Sequence, residues 1–306
     1  MIYNFSVIKE NGYPNRVPEI LRGDLLEKSW DLLKNQKGKK CFQNIDGCNF
    51  NTSSNKKVYT IGDSHMASLT FNLKDRIVKS NYQYITSTFD GCFFYPGFNL
   101  VGNKTQKIDD KCNVSYFQKL RQTLSNDKNS IIILGGRLPL YLSNYYFDNQ
   151  EGGVEGLEWE SKYFITKKYD TIQNSFKREI LELSKNNKIV LIYPIPEVGW
   201  NLPKKIFRDA NKFSKNTDLK YITTSFKVYK ERTKLSFELL DSIQGDNIYR
   251  VYPHTLFCDT TIKDRCVTHD DVNIFYVDDD HPSTKGAEMI NDLIMKEIKK
   301  IELQSK

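Results

Sequence analysis

Short apolar runs alternate with amphipathic segments along most of the chain, and this alternation constrains the fold more than any other feature. Six runs rich in β-branched and aromatic residues have the length of buried strands: 57–61, 82–86, 130–136, 188–194, 247–253 and 274–277. Five segments between and after them repeat apolar residues at helical spacing: 66–80, 116–126, 169–187, 224–243 and 284–303. Strands alternating with helices predict a parallel sheet covered on both faces, with ligand chemistry at the carboxyl ends of its strands.

The polar N-terminal segment differs from the rest of the chain. Residues 1–50 contain a short helical pattern at 19–36 and the first two of the six cysteines. This composition predicts a linker or cap, and residues 51–306 are predicted to form the main domain. A mean hydropathy of −0.56, together with the lack of any run of about 18 apolar residues, predicts no membrane-spanning helix. A signal peptide is not visible either.

The net charge of +7 comes mostly from lysines spread along the chain. It is not accompanied by a dense basic run, an RNA-binding aromatic motif or zinc-finger spacing. We therefore expect no nucleic-acid partner.

The cysteines form three couples that are close in sequence: Cys41 with Cys48, Cys92 with Cys112, and Cys258 with Cys266. Their spacings do not match the pairs of a structural zinc site. Close couples fit disulfides that pin loops and that persist in an oxidising compartment, whereas six free thiols in a cytosolic protein are the alternative. The cysteines suggest export, but no export signal is visible. We therefore expect this chain to be the soluble part of a longer membrane-anchored protein, or a separately encoded version of that part.

The first strand pattern runs directly into the stretch GDSH, residues 62–65, before a helix pattern. Ser64 at this junction is either a nucleophile or the polar N-cap of the helix, because Ser and Asp are both favoured caps. A nucleophile at this place needs a glycine for the tight turn, a helix N-terminus to hold an oxyanion, and a base.

A candidate base lies near the other end of the chain. Asp278 and His281 are three residues apart, just before the last helix pattern. This spacing lets the carboxylate reach one ring nitrogen while the other nitrogen faces a neighbouring strand end and takes the proton of Ser64. The alternative is an ordinary helix start, capped by Ser283 or Thr284.

Together, GDSH at 62–65 and DDDH at 278–281 resemble the motifs of the SGNH (GDSL-like) hydrolase superfamily. Three more stretches narrow the resemblance to the SGNH domain attached to bacterial acyltransferase-family-3 membrane proteins, which O-acetylate cell-surface polysaccharides: CFQNIDGCNF, YPIPEVGWNLP and LFCDTTIKDRC. The resemblance covers roughly residues 40 to 300. It implies a flavodoxin-like, three-layer α/β/α sandwich with a central parallel sheet, in which residues 51–306 are the catalytic domain.

Carried over residue by residue, the resemblance implies a catalytic triad. Ser64 would be the nucleophile, His281 the base and Asp278 the carboxylate that orients it. The shared motifs also imply an acetyl-Ser64 intermediate.

The implied oxyanion hole departs from the pattern of the superfamily, which combines the serine N–H, a glycine after the second strand and an Asn from a later motif. Gly91 matches the glycine, but the later stretch reads LGGR and places Arg137 where the Asn is expected. Either Arg137, a backbone N–H near Gly136 or another side chain replaces the Asn, or turnover is slow. A surface salt bridge is the alternative role for Arg137.

His65 and Trp200 are expected to line the substrate site, with a helix cap and a packed loop anchor as their respective alternatives. Glu197 joins Trp200 as a candidate contact to a sugar ring. The glycine-rich stretch 148–156 is expected to be mobile and to overhang the site. No phosphate-binding glycine loop or metal triad is visible, so we expect no bound cofactor or metal, and an acetyl donor supplied from elsewhere.

The resemblance therefore implies serine-dependent O-acetyl transfer to a cell-envelope polysaccharide, of which lipopolysaccharide is one. The implied partners are the carbohydrate acceptor and a membrane-embedded acyltransferase in the same or a neighbouring chain. The implied location is the periplasm or cell envelope, with membrane association through that partner or through a membrane region missing from this sequence. A carbohydrate acetylesterase and a non-catalytic glycan-positioning domain are the alternatives.

Overall fold

The computed structural model describes Ile20 and residues 32–102, 104–143, 145–155, 162–165, 170–212 and 221–304. The helix pattern at 19–36 lies mostly outside these residues. Within the described ranges, no helix is both long enough and apolar enough to cross a membrane.

Ten strands occur in the described residues: β1 Cys48–Phe50, β2 Lys57–Gly62, β3 Gln83–Thr88, β4 Asn99–Gly102, β5 Ile131–Gly135, β6 Lys162–Ile165, β7 Lys188–Ile192, β8 Thr223–Ser225, β9 Ile248–Val251 and β10 Arg265–Val267. Six of them form the central sheet in the order β1-β3-β2-β5-β7-β9. Every neighbouring pair from β3 to β9 is parallel, and β1 pairs antiparallel with β3 at the edge. The order of the five parallel strands is flavodoxin-like, and the strand order reverses between β2 and β5, where such folds bind ligands.

Eight helices occur in the same residues: α1 Ser64–Lys79, α2 Val114–Asn126, α3 Leu138–Ser143, α4 Ile172–Ser184, α5 Leu202–Lys212, α6 Phe226–Asp241, α7 His254–Phe257 and α8 Thr284–Gln304. The five predicted amphipathic segments form α1, α2, α4, α6 and α8. Alternate residues of the central strands point to opposite faces. In β5, Ile133 packs with α1 and α8, whereas Ile132 and Leu134 pack with α2 and α4. Two apolar cores on the two faces of one sheet confirm the three-layer α/β/α arrangement.

Two local expectations differ from the structure. The run 274–277 forms no strand, because it turns back locally: the Phe275 N–H donates to the Thr268 carbonyl and the Val277 N–H to the His281 carbonyl. The segment predicted as a linker or cap contributes the edge strand β1, so the sheet is mixed, not wholly parallel. The division of the chain at residue 50 stays a prediction.

All three predicted disulfides are present: Cys41–Cys48, Cys92–Cys112 and Cys258–Cys266. The first lies beside β1, the second joins the segment after β3 to the start of α2, and the third joins α7 to β10. Cys48 is the first residue of β1, so the first disulfide ties the preceding segment to the edge of the central sheet, whereas the other two lie outside that sheet. A disulfide of this kind stabilises the fold mainly by restricting the unfolded chain.

Substitution of Gly62 tests the close approach of β2 and β5. It ends β2 with a φ of +152°, and a Cβ there would lie 2.2 Å from the Gly135 carbonyl oxygen. We expect Gly62→Ala to lower the free energy of unfolding by about 3 kcal/mol, because the two strand ends must move apart. Denaturant unfolding measures the loss.

Gly38→Ala is the matched control, because Gly38 also has a positive φ, +74°, but no atom lies within 4 Å of its Cβ position. The difference between the two variants then reports the clash together with the φ of +152° at Gly62, which Ala tolerates less well than the +74° at Gly38. A Gly62→Ala protein as stable as Gly38→Ala would contradict the close approach.

Candidate active site

Helix α1 begins at Ser64, directly after the end of β2. Asp63 is the N-cap: its backbone is extended and its Oδ1 accepts from the His65 N–H at 2.9 Å. Ser64 is therefore the first helical residue and not the cap, and its side chain is half-buried. The first-turn N–H groups of a helix lack intrahelical acceptors and carry partial positive charge, so the Ser64 hydroxyl lies beside a natural anion site.

The buried carboxylate of Asp63 joins the ends of β2 and β5. Its Oδ2 accepts from the Arg137 N–H at 2.7 Å and from the Tyr141 hydroxyl at 2.8 Å. Gly136 packs against the same group with a φ of +146°, and a Cβ there would lie 2.7 Å from Asp63 Oδ2. Glycine at position 136 is thus required for this contact between the two strand ends.

A turn after residue 277 presents His281. Asp278 Oδ1 accepts from the backbone N–H groups of Asp280 at 3.0 Å and His281 at 2.8 Å. Just beyond, the Ser283 hydroxyl accepts from the Gly286 N–H at 3.1 Å, which caps α8. The turn therefore carries the candidate base and is also the start of a capped helix, so the two alternative interpretations of this stretch are both present.

Two carboxylates contact the same nitrogen of His281. Nδ1 lies 2.9 Å from Asp278 Oδ2 and 2.7 Å from Asp280 Oδ1. The contact expected from the Asp278 spacing is present, and Asp280 is a second partner. Asp280 Oδ2 also lies 3.0 Å from His65 Nε2, and the two histidine rings meet edge to face with centroids 5.3 Å apart. The residue after Ser64 is thus in direct contact with the candidate base.

These contacts shift the pKa values of His281 and Asp280 in opposite directions, and that of Asp279 is shifted as well. Burial by itself lowers the pKa of His281, but Asp280 and Asp278 hold it well above its usual value. Burial raises the pKa of the Asp280 carboxyl, but Arg137 and His281 hold it well below its usual value. Burial and the neighbouring carboxylates raise the pKa of Asp279 to about 7. The imidazolium form of His281 and the carboxylate form of Asp280 therefore stabilise each other.

Arg137 lies at the centre of a buried ion cluster, which we define as Arg137, Glu155, Glu197, Arg232 and Asp280. The guanidinium forks onto the carboxylate of Glu155, with Nη1 at 2.5 Å from Oε1. Its Nε lies 2.6 Å from Glu197 Oε1, and its Nη1 lies 2.8 Å from Asp280 Oδ2. Arg232 Nε contacts the other oxygen of Glu197 at 2.9 Å. Five charged side chains from five segments thus compensate one another inside the protein.

The surface salt bridge considered for Arg137 is corrected by this geometry, because the side chain is 7% exposed and its ion pairs are internal. Its three guanidinium nitrogens all contact carboxylates, and its backbone N–H donates to Asp63. These contacts oppose a direct role for Arg137 as an oxyanion donor.

The segment after β7 lies against the His281 turn. The N–H groups of residues 198 and 199 donate to the Asp279 carbonyl at 2.8 and 2.9 Å. Glu197 is buried, and the two arginines of the ion cluster lower its pKa to about 2 against the opposing effect of burial. It is an internal ion pair and not an open sugar contact. Trp200 is half-buried with the Lys205 ammonium 4.5 Å from its ring centroid, and its role toward a substrate stays a prediction.

The described part of the glycine-rich stretch, residues 148–155, is hydrogen-bonded to the segment after β7, and its expected mobility stays a prediction. The buried Asn149 side chain accepts from the N–H groups of Glu151 and Gly153 at 2.8 Å and donates to the Val198 carbonyl at 2.8 Å. Glu155 joins Arg137 in the ion cluster. These side-chain contacts add to the local backbone hydrogen bonds from Asn149 to Gly153 and from Glu155 to Phe147.

His65 and Gly91 occupy different surroundings. His65, expected to line the substrate site, is 1% exposed and its ring faces Asp280 and His281, so it supports the site from within. Gly91 follows β3 with a φ of +61° and has no atom within 4 Å of its Cβ position. The Phe89 N–H donates to the Gly62 carbonyl at 3.1 Å, so this segment lies beside the end of β2. The oxyanion role of Gly91 stays a prediction.

Two sets of side chains in the described residues have ligand atoms close enough to hold a metal ion: His65 with Asp280 and His281, and Asp278 with Asp279 and Asp280. Both sets share Asp280, whose carboxylate already contacts the Arg137 guanidinium. A positive charge at this place opposes a cation on the same carboxylate. We therefore assign no metal ligands, and metal-independent chemistry stays an expectation.

Sequence reasoning missed the contributions of Asp280, Glu155 and Arg232. The only local signal for Asp280 is the run of three aspartates before His281, which supplies more carboxylates than one triad uses. Glu155 lies in a loop and Arg232 on a helix, and neither has a neighbour in sequence that indicates an ion pair. Their partners are distant in the chain, so only the folded structure reveals them.

The fold and the site together define a class of protein. A three-layer α/β/α sandwich with a Ser at the end of its first parallel strand and an Asp–His pair before its last helix is an SGNH-type architecture. The chain matches the family model described as "SGNH domain (fused to AT3 domains)" over residues 33–296. It belongs to this SGNH domain family. The match supports a function of the acyl-transfer or esterase type.

One solved structure agrees with the fold. The chain is similar to the "Salmonella ser. Paratyphi A lipopolysaccharide acetyltransferase periplasmic domain", with a TM-score of 0.54, 17% identity, and coverage of 79% of this chain and 83% of that chain. It also matches a lipolytic protein of the G-D-S-L family from Veillonella parvula DSM 2008, with a TM-score of 0.36, 11% identity, and coverage of 79% and 97%. A TM-score of 0.36 is too low to establish a common fold. No curated protein sequence matches the chain.

The raised pKa of His281 gives a testable titration. In a histidine NMR titration, we expect the His281 imidazole to lose its proton above pH 6.5, whereas His254 and His269 do so below it, because burial lowers their pKa. A raised folded-state pKa also means that the contacts of the imidazolium stabilise the fold fully below pH 6.5. This stabilisation is lost as the pH rises through the pKa of His281.

His254 and His269 are internal controls, measured in the same sample. Single substitutions, such as His254→Gln, assign the signals. A His281 midpoint at or below 6.5 would show that the two carboxylates do not hold the ring as the structure describes.

Proposed function

We propose that this protein transfers an O-acyl group, most simply acetyl, to a cell-envelope polysaccharide through an acyl-Ser64 intermediate. The observation that carries the proposal is the meeting of two distant motifs at one end of the sheet. Ser64 begins α1 next to His65, and the His65 ring contacts the ring of His281, which two carboxylates hold at Nδ1. From this neighbourhood we infer that the Ser64 hydroxyl is the nucleophile and that His281 is its base.

The proposed reaction has two steps. In the first, Ser64 Oγ attacks the acyl carbonyl, His281 Nε2 takes the hydroxyl proton, and that proton passes to the leaving group as the acyl–donor bond breaks. In the second, a sugar hydroxyl attacks the acyl-serine and gives its proton to His281 Nε2. The proton then returns to Ser64 Oγ as the ester bond to the enzyme breaks. Since Nδ1 lies against the carboxylates, Nε2 is the nitrogen that faces this chemistry.

The oxyanion of each tetrahedral intermediate needs donors near Ser64. The Ser64 N–H belongs to the first turn of α1, where helix geometry supplies no intrahelical acceptor. Gly91 and Gly136 are the proposed sources of further backbone donors, because the segments after β3 and β5 lie on either side of the end of β2. Donors of this kind contribute about 10²–10³ in rate each.

The proposed context is the bacterial envelope. The SGNH domains of this family are fused to AT3 domains, and the similar Salmonella structure is the periplasmic domain of a lipopolysaccharide acetyltransferase. Three disulfides suit an oxidising compartment. We therefore infer a membrane-embedded acyltransferase as the partner that supplies the acetyl group. A polysaccharide would be the acceptor, and no bound cofactor is needed.

Two alternatives fit the same fold. A carbohydrate acetylesterase would use Ser64 and His281 in the same way, with water in place of the sugar hydroxyl in the second step. A non-catalytic glycan-positioning domain would use neither. The buried ion cluster favours an enzyme, because charge compensation of this extent fixes the His281 turn against His65, the residue after Ser64.

Ser64→Ala tests the nucleophile. With an activated acetyl ester, we expect wild type to release acetate at least about 1,000-fold faster than Ser64→Ala, because the acyl-enzyme cannot form without the hydroxyl. Mass spectrometry of wild type quenched during turnover should show one added acetyl group on the peptide that contains Ser64.

Ser80→Ala is the matched control, since Ser80 caps the other end of α1 and is exposed. It should react like wild type. Wild type no faster than Ser64→Ala would exclude both enzyme functions and leave the glycan-positioning domain. With an added polysaccharide, acetylated sugar indicates a transferase, and free acetate alone indicates an esterase.

The pH dependence tests the base. We expect kcat/KM to rise with pH through the pKa of His281, above its ordinary 6.5, because only the neutral imidazole accepts the proton of Ser64. A pH–rate profile with the activated ester measures the midpoint. An ordinary histidine titrates near pH 6.5. A rate that stays constant between pH 6 and 9 would therefore argue against His281 as the base.

A further inference from the structure

Asp278 and Asp280 contact the same nitrogen of His281, but they are held differently. The other oxygen of Asp278 accepts from N–H groups of its own turn, at residues 280 and 281. Its side chain is 32% exposed, against 4% for Asp280. Asp278 therefore moves with the turn that it caps.

Asp280 is tied to two other parts of the protein. Its Oδ2 lies 3.0 Å from His65 Nε2 on α1 and 2.8 Å from Arg137 Nη1 after β5. His65 is the residue next to Ser64. The carboxylate of Asp280 thus contacts both helix α1, which begins at Ser64, and the ring of His281, whereas the side-chain hydrogen bonds of Asp278 stay within its own turn.

Arg137 gives this buried carboxylate its charge compensation. A carboxylate removed from water needs a paired, hydrogen-bonded cation to remain ionised. Arg137 supplies that cation and is itself fixed by Glu155 and Glu197. The charged and titratable groups that face Asp280 are therefore Asp278, Asp279 and His281 on its own turn, His65 on α1, Arg137 after β5, and the two glutamates behind Arg137.

We propose that Asp280 is the residue that positions the His281 ring relative to Ser64, and that Arg137 acts by holding Asp280 and not by binding the oxyanion. Asp278 then fixes the shape of the turn and adds a weaker second contact. The proposal thus gives a role to Arg137, which occupies the position at which the superfamily pattern has an Asn. The part of the inference that concerns catalysis rests on the proposed function, whereas the positioning of the ring does not.

The ring can be observed without any activity. In NMR spectra of the imidazole groups, we expect the hydrogen-bonded Nδ1–H signal of His281 to persist in Asp278→Asn and to broaden or vanish in Asp280→Asn. In Arg137→Met, the signal should weaken as it does in Asp280→Asn. A signal that is lost in Asp278→Asn but kept in Asp280→Asn would overturn the proposal, whether or not the protein is an enzyme.

Kinetics with the activated ester give the second readout. We expect Asp280→Asn to lower kcat about 100-fold with KM within about threefold, and Asp278→Asn to lower it about tenfold or less. Arg137→Met should resemble Asp280→Asn, and the double variant should be no slower than the slower single one, because both changes break one unit. A larger loss for Asp278→Asn, or additive losses in the double variant, would contradict the assignment.

Two further comparisons separate positioning from stability. Arg121→Met removes another arginine–glutamate pair, Arg121–Glu179, away from the site, and should keep wild-type kcat. His65→Leu cuts the tie between α1 and Asp280 without changing either carboxylate, and should lower kcat. His65→Gln, whose amide can still donate, should restore part of it. If Asp280→Asn does not fold, the comparison of His65→Leu with His65→Gln tests the proposal instead. Equal kcat values for these two variants would contradict it.

Discussion

The burial of charge at the carboxyl ends of the parallel strands is the constraint on which the rest of this structure depends. Asp63 and Asp280 are almost completely removed from water, and each would cost several kcal/mol without partners. Asp63 is satisfied by N–H and O–H donors from α1 and from the segment after β5. Asp280 is satisfied by His65, Arg137 and His281. Neither carboxylate can be accommodated unless several distant segments are in place together.

This requirement couples the stability of the fold to the geometry of the site. The ion cluster joins the loop at 155, the segment after β7 and helix α6 to Arg137, and Arg137 in turn holds Asp280. Removing one partner of such a cluster leaves an uncompensated charge, which costs about 3–5 kcal/mol. The candidate triad is thus supported by buried, mutually paired groups, and Arg137 at the place where an Asn is expected has a structural explanation.

Much of the fold follows from local sequence pattern. Continuous apolar runs such as 131–135 and 189–192 correctly predict central strands, because a strand buried on both faces has few polar positions. The run 274–277 also predicts a strand and does not form one. Its backbone groups are satisfied by the short return between Thr268 and His281, and a pattern of four apolar residues does not distinguish the two outcomes. Strand β1 is hidden in a polar segment because only three residues pair.

The sequence by itself determined the layers of the fold, the three cysteine couples, and the candidate residues Ser64, Asp278 and His281, because helix period, strand composition and short-range spacing are local properties. Only the tertiary structure decided what surrounds them. It made Asp63 the helix cap, buried His65 and Glu197, and turned Arg137 from a candidate oxyanion donor into the partner of three carboxylates. The physical reason is that charge compensation acts through space, between residues whose positions in the chain carry no sign of one another.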